Sequence, residues 1–284
     1  MKRFILLFIL ILVPLTSQAE PVRYFLAGDG IVQIFNAKTK AGGEIRYRLP
    51  DGSYFKKGIE QINRVYGGEA SLRLVSLLDY LQDHFQKKSK AATIRVVSGY
   101  RSPRYNEGLR RKGKLAAKTS LHLEAMAADI EIDGVGGKTL WNYARSLQCC
   151  GAGYYHGKGI HIDTGPNRSW DETSTGVGLD LGSHNKLVLL RTDQDIYLPG
   201  ETVRLTLARI TDYPIGVRVN SEKECRLITD RSGARSLTWK IPNDFTSKGQ
   251  KKIEIEIEFC QKPFPEMPDS IESNPISILP AAFK

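Results

Sequence analysis

Residues that carry chemistry are scarce in this 284-residue chain, which has five histidines, four cysteines and three methionines. No HExxH occurs, so the zinc helix of that motif is excluded, and no CxxC pair is available for a thiolate zinc site. No GxSxG is present, which removes the usual serine-hydrolase elbow. The glycines at 134–137 and 151–153 lack the Lys-Ser/Thr that a phosphate loop requires. No apolar run reaches the roughly twenty residues of a spanning helix. Basic and aromatic residues do not interleave as in single-strand binders, so no nucleic-acid partner is expected.

What is present begins with Lys2-Arg3, an apolar run over 4–13, and Ser17-Gln-Ala19 as a small-x-small cleavage site. These are the parts of a secretory signal over 1–19, and they predict an exported protein of the periplasm or cell envelope. Membrane attachment is expected only if that segment stays uncleaved. The remaining length suffices for two domains. Net charge is +10, or +8 without Lys2 and Arg3, and eleven Lys and Arg fall within 87–118. Such a patch is either a solvated face or an attraction to cell-wall carboxylates and phosphates. In an oxidising compartment Cys225 and Cys260, in two separate strand-like segments, are expected to bridge. The adjacent Cys149 and Cys150 cannot easily bridge each other, and read as small buried residues.

Turn residues and β-branched runs predict strands at 22–26, 31–35 and 44–49, then at 93–98 and 127–132. Helices are predicted over 58–66, around Leu74, Leu78, Leu81 and Phe85, over 105–111, and over 140–147. His84 reads as a surface or packing histidine, and 113–119 as an exposed basic loop. Residues 151–155 and 160–163 read as a hairpin closed by 156–159. The expectation for 20–172 is an α+β domain with an antiparallel sheet core. Composition shifts to Ser, Thr, Gly and Asp around 167–183, marking a linker that we bound at 173–183. Six or seven short strands over 184–284 then predict an all-β immunoglobulin-like sandwich with a Pro-rich tail. No histidine follows His184, so no chemistry is expected there.

The stretch Ser120-Leu-His-Leu-Glu-Ala-Met-Ala-Ala-Asp129 sets His122 and Asp129 seven residues apart at the entrance to an apolar run. His161-Ile-Asp163 closes a second one. Two neutral imidazoles and one carboxylate suit zinc with an open position for water. A buried histidine is more commonly structural, and spacing alone leaves both readings open.

Residues 98–170 resemble the clan of zinc D-alanyl-D-alanine carboxypeptidases, dipeptidases and murein endopeptidases, with its lysostaphin-type and hedgehog folds. They look closest to its YcbK-like, murein endopeptidase K branch. The motif Ser98-Gly-Tyr-Arg-Ser102 is intact, and Asn106 sits where the branch has an asparagine. The S-x-H-x-x-G-x-A-x-D pattern appears as Ser120, His122, Ala127 and Asp129, with Ala125 replacing its glycine. G-x-G-Y-Y follows as 151–155, and H-I-D-T-G-P-x-R-x-W as 161–170. The resemblance implies that His122, Asp129 and His161 bind Zn²⁺, and that Arg101 faces the scissile carbonyl or the substrate carboxylate. Arg101 paired to an acid is the alternative. Ser120, Asn106 and Tyr154 are the expected substrate contacts, and peptidoglycan stem peptides or cross-links the expected substrate. Lys158 stands where several clan members place an acidic general base. Asp163 and His156 are the candidates in its stead, and Asp163 is equally a carboxylate that orients a zinc histidine. The competing function is a non-catalytic peptidoglycan-binding protein that keeps the zinc fold.

Overall fold

The computed structural model describes residues 21–86, 92–114, 116–174, 185–220, 222–245 and 252–280. The expected signal segment, Lys87, Lys88, Lys90, His184 and nearly all of the expected linker lie outside them. No helix among the described residues is long and apolar enough to cross a membrane.

The N-terminal half forms β1 (Ile31–Asn36), β2 (Gly42–Arg46), α1 (Lys56–Tyr66), α2 (Leu72–Gln86), β3 (Ile94–Ser98) and α3 (Pro103–Arg111). It continues with β4 (Ala127–Ile132), α4 (Gly137–Ser146), β5 (Gly151–Tyr154), β6 (Ile160–Asp163) and β7 (Arg168–Asp171). The seven strands make one sheet in the order β2-β1-β3-β4-β6-β5-β7. It is mixed rather than antiparallel: β1 runs parallel to β3 and β5 parallel to β7. The connection through α1 and α2 returns the chain in the same direction, which a hairpin cannot do.

One face of this sheet is apolar. Val32, Ile34, Ile94, Val96, Ala128, Ile130, Ala152, Ile160 and Ile162 pack there against Ile62, Leu74, Leu78, Leu81, Leu140 and Ala144 of the helices. The helical spacing of α2 is what buries Leu74, Leu78 and Leu81 together. His84 stacks on Tyr143 with centroids 3.6 Å apart, so it packs. Asp79, fully buried on α2, accepts from Tyr47 Oη at 2.8 Å and Gly30 N at 2.9 Å, tying the start of β1 to the helix. Burial pushes its pKa up to about 7.

The C-terminal half contains β8 (Leu189–Thr192), β9 (Ile196–Tyr197), β10 (Thr202–Ala208), β11 (Ile215–Val219), β12 (Arg226–Ile228), α5 (Arg231–Ala234), β13 (Leu237–Lys240), β14 (Glu256–Gln261), β15 (Ser270–Glu272) and β16 (Ser277–Ile278). An antiparallel sheet β13-β10-β8 and another, β12-β11-β14-β15, share one apolar cluster containing Val203, Leu205, Leu207, Val217, Val219 and Ile257. Cys225 and Cys260 are bonded to each other.

Several expectations need correction. Residues 22–26 form no strand. They run extended along the C-terminal half, where Arg23 O accepts from Asp195 N and Ile196 N, and the Arg23 guanidinium meets Glu201 at 2.9 Å. The Ser-, Thr-, Gly- and Asp-rich composition that sets in around 167 begins on a strand, ahead of the linker bounds, because Arg168–Asp171 (β7) hydrogen-bonds along β5. The Pro-rich tail is built into the sheets through β15 and β16, with Met267 and Ile276 buried. Cys149 and Cys150 are bridged to each other despite being adjacent, their Cα atoms 3.8 Å apart. In the loop after α3, Ala116 and Thr119 are buried rather than exposed.

The halves are in contact. Leu121, Met126 and Ala127 of the first pack with Leu189 and Ala208 of the second. Arg73 on α2 pairs with Asp195 and donates to Thr192 O at 3.0 Å.

Candidate metal centre

The polar face of the sheet holds the site, and strand alternation decides which residues reach it. Asp129 on β4 lies opposite His161 on β6, and His161 lies opposite Gly153 on β5. With a side-chain period of two, Ala127, Asp129, His161 and Asp163 share this face, while Ala128, Ile130, Ile160 and Ile162 enter the core. Gly151 and Gly153 leave room over β5. A Cβ at Gly151 would stand 2.4 Å from Asp163 Oδ2, and one at Gly153 would stand 2.6 Å from the Trp170 ring.

His122 arrives from a one-turn 3₁₀ segment, Leu121–Glu124, whose N-cap is Ser120. Ser120 Oγ accepts from His122 N at 3.4 Å. The turn closes on Ala125, which takes the left-handed conformation at φ 55°. The glycine of the family motif therefore stands where positive φ is required.

Three donors converge. His122 Nε2 lies 3.3 Å from Asp129 Oδ1 and 3.2 Å from His161 Nδ1, and His161 Nδ1 lies 3.1 Å from Asp129 Oδ1. The outer nitrogen of each imidazole is engaged. His122 Nδ1 sits 2.7 Å from Gly99 O, which can only accept, so Nδ1 carries a proton and Nε2 turns its lone pair inward. His161 Nε2 sits 2.8 Å from Asp163 Oδ2, which leaves Nδ1 to face Asp129. Two lone pairs and one carboxylate pointing at a common centre fit a divalent zinc.

Burial pushes His122 toward its neutral form. For His161, burial is outweighed by hydrogen bonds to Asp129 and Asp163, and its pKa rises to about 9. Burial also opposes charge on Asp129 and Asp163, yet their histidine partners, with Arg168 at Asp163, hold both well below the usual carboxylate range.

The other predicted residues fall in different places. Arg101 is paired to an acid: its Nη2 meets Asp129 Oδ2 at 2.5 Å and its Nε donates to Ser98 Oγ at 2.9 Å. Asp163 is fully buried, accepting from Gly165 N at 2.8 Å and from Arg168 Nη1 and Nη2 at 3.1 and 2.5 Å. Asn106 is buried away from the centre, where its Nδ2 donates to Ala117 O at 3.0 Å. Tyr154 turns to the core side and stacks on Trp141 at 5.7 Å. His156, at φ 51° in the turn, lies beside Tyr154 at 5.0 Å and outside the site cavity.

The cavity itself is about 330 Å³, and Ser120 lines it. Tyr155, Arg168 and Trp170, which stand in the motif blocks without an assigned role, line it too, as does Arg209, which lies in no motif. Tyr155 is one residue from a named candidate and follows β5 directly; alternation sets it on the face opposite Tyr154, and the register of β5 against β6 makes that the site face. Tyr155 Oη accepts from Trp170 Nε1 at 3.0 Å, and burial pushes its pKa up.

This mixed scaffold and donor set suit a metallopeptidase, the class to which the chain's relatives belong. Residues 27–170, just over half of the chain, match the family described as "Peptidoglycan L,D-endopeptidase MepK". The chain belongs to this family, a branch of the M15 peptidases. The peptidoglycan L,D-endopeptidase MepK of Escherichia coli K12 is 29% identical over 135 residues, covering 45% of this chain and 74% of that protein. A probable peptidoglycan L,D-endopeptidase MepK of Haemophilus influenzae is 42% identical over 80 residues, 28% of this chain and 43% of its own. No solved structure matches the chain at comparable stringency.

Proposed function

We propose that this protein is an exported zinc peptidase of the periplasm or cell envelope, hydrolysing peptide bonds in peptidoglycan stem peptides or their cross-links. The carrying observation is the inward convergence of His122 Nε2, His161 Nδ1 and Asp129 Oδ1 in a chain whose relatives are named peptidoglycan endopeptidases. Zinc held by these three would supply a Lewis acid and a bound water whose pKa falls to about 7.

The chain's own residues prepare the rest. Gly99 O fixes the tautomer of His122, and Asp163 does the same for His161, clamped in turn by Arg168. With every face of Asp163 engaged and none exposed, we assign it to orienting His161 rather than to accepting a proton from water. Arg101 holds Asp129 and is a positioning residue in this reading. Tyr155, kept protonated by burial, has its O–H free to donate toward a developing oxyanion. Ser120 caps the turn that carries His122. We read residues 184–284 as an immunoglobulin-like sandwich that holds this turn and completes the cleft.

The alternative, a peptidoglycan-binding protein without activity, draws on one observation: among the described residues, no carboxylate lining the cavity is free of a partner. Purified protein is expected to bind about one zinc per chain and to release soluble muropeptides from isolated cell wall. His122→Ala is expected to lose both. Wall pelleting by wild type that survives chelation, with no fragment released, would support the binder instead.

A further inference from the structure

Three guanidiniums line the site cavity, and two have partners. Arg101 is tied to Asp129 and Arg168 to Asp163. The third, Arg209, makes no hydrogen bond or ion pair among the described residues, and its Nε is buried without a partner. The charges that act on it are Arg168, which repels it, and Asp163, which Arg168 already holds; burial and that repulsion press its pKa down to about 10, so it stays charged at neutral pH.

Arg209 comes from the C-terminal half. It follows Ala208, the last residue of β10, which packs with Leu121, Met126 and Ala127 beside the turn that carries His122. That contact fixes where Arg209 stands relative to the metal ligands. It also lies beyond residue 170, where the family match ends. A half-buried cation facing a like charge is unfavourable alone. A carboxylate entering the cavity would relieve it through charge-assisted hydrogen bonds to the planar fork. Arg101, which the family resemblance would point at such a group, is already committed to Asp129.

We propose that Arg209 is a carboxylate-binding subsite, supplied by the C-terminal half, that selects peptide substrates with a free carboxylate next to the amide to be cleaved. This rests on the peptidase reading above. A role as a merely solvated surface charge does not account for a buried Nε inside a cavity already rich in guanidinium.

The test uses the zinc-loaded full chain and two synthetic stem peptides identical except that the carboxyl beside the cleaved bond is free in one and a carboxamide in the other. Wild type is expected to favour the acid by about tenfold or more in kcat/KM, the scale of a lost charge-assisted hydrogen bond, and chiefly through KM. Binding of the acid peptide, measured by calorimetry, is expected to fall by a similar factor in Arg209→Gln, and the acid-to-amide ratio to drop toward one. Arg209→Lys is expected to give an intermediate ratio. The ratio is internal to each protein, so a destabilised variant still reports; if the Gln variant does not fold, the Lys variant decides. An undiminished ratio in either variant, or none in wild type that cleaves both peptides, overturns the subsite and leaves the peptidase reading standing. Wild type that cleaves neither peptide overturns both.

Discussion

His161 Nε2 meets Asp163 Oδ2 at 2.8 Å across a strand face on which Asp163 has no exposure to solvent. The pair fixes the ring so that Nδ1, the other nitrogen, points at Asp129. If Asp163 acts through this hydrogen bond, Asp163→Ala should weaken metal binding by roughly 10- to 100-fold, the usual effect of losing a carboxylate behind a ligating histidine. Competition with a chromophoric chelator measures it. A variant that keeps full zinc affinity and loses only turnover would instead make Asp163 the proton acceptor.

The same geometry sets a pH dependence. Burial disfavours charge on His161, but hydrogen bonds to Asp129 and Asp163 prevail and raise its pKa from 6.5 to about 9. A raised folded-state pKa means that the metal-free protein binds this proton more tightly than the unfolded chain. The resulting stability is complete below about pH 6.5 and is lost as pH climbs through about 9. Metal needs Nδ1 unprotonated, so zinc displaces that proton and its affinity should rise over the same window. Thermal melts from pH 6 to 10 are therefore expected to show this contribution decaying in metal-free protein and the zinc-induced shift growing. A zinc-induced shift that shrinks with rising pH would contradict the assignment.

Ala125 offers a test of the motif. It holds φ 55°, where a Cβ costs about 1 kcal/mol relative to glycine. Its N–H reaches back to His122 O at 3.4 Å, and its carbonyl accepts from Ser71 N at 3.1 Å, so the turn is fixed from both sides. Ala125→Gly is expected to stabilise the protein by up to about 1 kcal/mol, offset in part by greater freedom of the unfolded chain. Chemical denaturation would measure it, and a loss of stability would mean that the turn relaxes at another residue.

The site was legible where pattern and alternation agree, and opaque where the answer depended on a partner distant in sequence. His122, Asp129 and His161 could be read as candidates because each lies at or within a short apolar run, and for Asp129 and His161 the strand period points the side chain off the core. Strand β4 fell at 127–132 as expected for the same reason. Tyr154 and Tyr155 are adjacent, and the period of two gives them opposite faces, but only the register of β5 against β6 says which face is which. Residues 22–26 alternate like a strand, yet their hydrogen bonds go to 195 and 196, far along the chain. No local pattern foretells that. Arg209 was invisible for a related reason: its role is set by the docking of β10 on the turn at 121–126, not by its neighbours in sequence.

Docking also suggests how the second half supports the first. Glu124, two residues after His122 in the same 3₁₀ turn, has a side chain only 9% exposed. It pairs with Arg231 at 2.8 Å and Arg235 at 2.5 Å, both from the C-terminal half, and Arg235 also donates to Leu123 O at 3.1 Å. Removing the carboxylate leaves two guanidiniums facing a carbonyl with no counter-charge, the costly way to break an ion pair. Because both arginines are more than a third exposed, solvent screens part of that cost. Glu124→Ala is expected to destabilise by roughly 2 kcal/mol, with Glu124→Gln intermediate. If the turn owes its placement to this pair, zinc affinity should fall along with stability. A variant that melts earlier but binds zinc as wild type would show that Leu121, buried against Met126, Ala127, Leu189 and Ala208, positions the turn without the ion pairs.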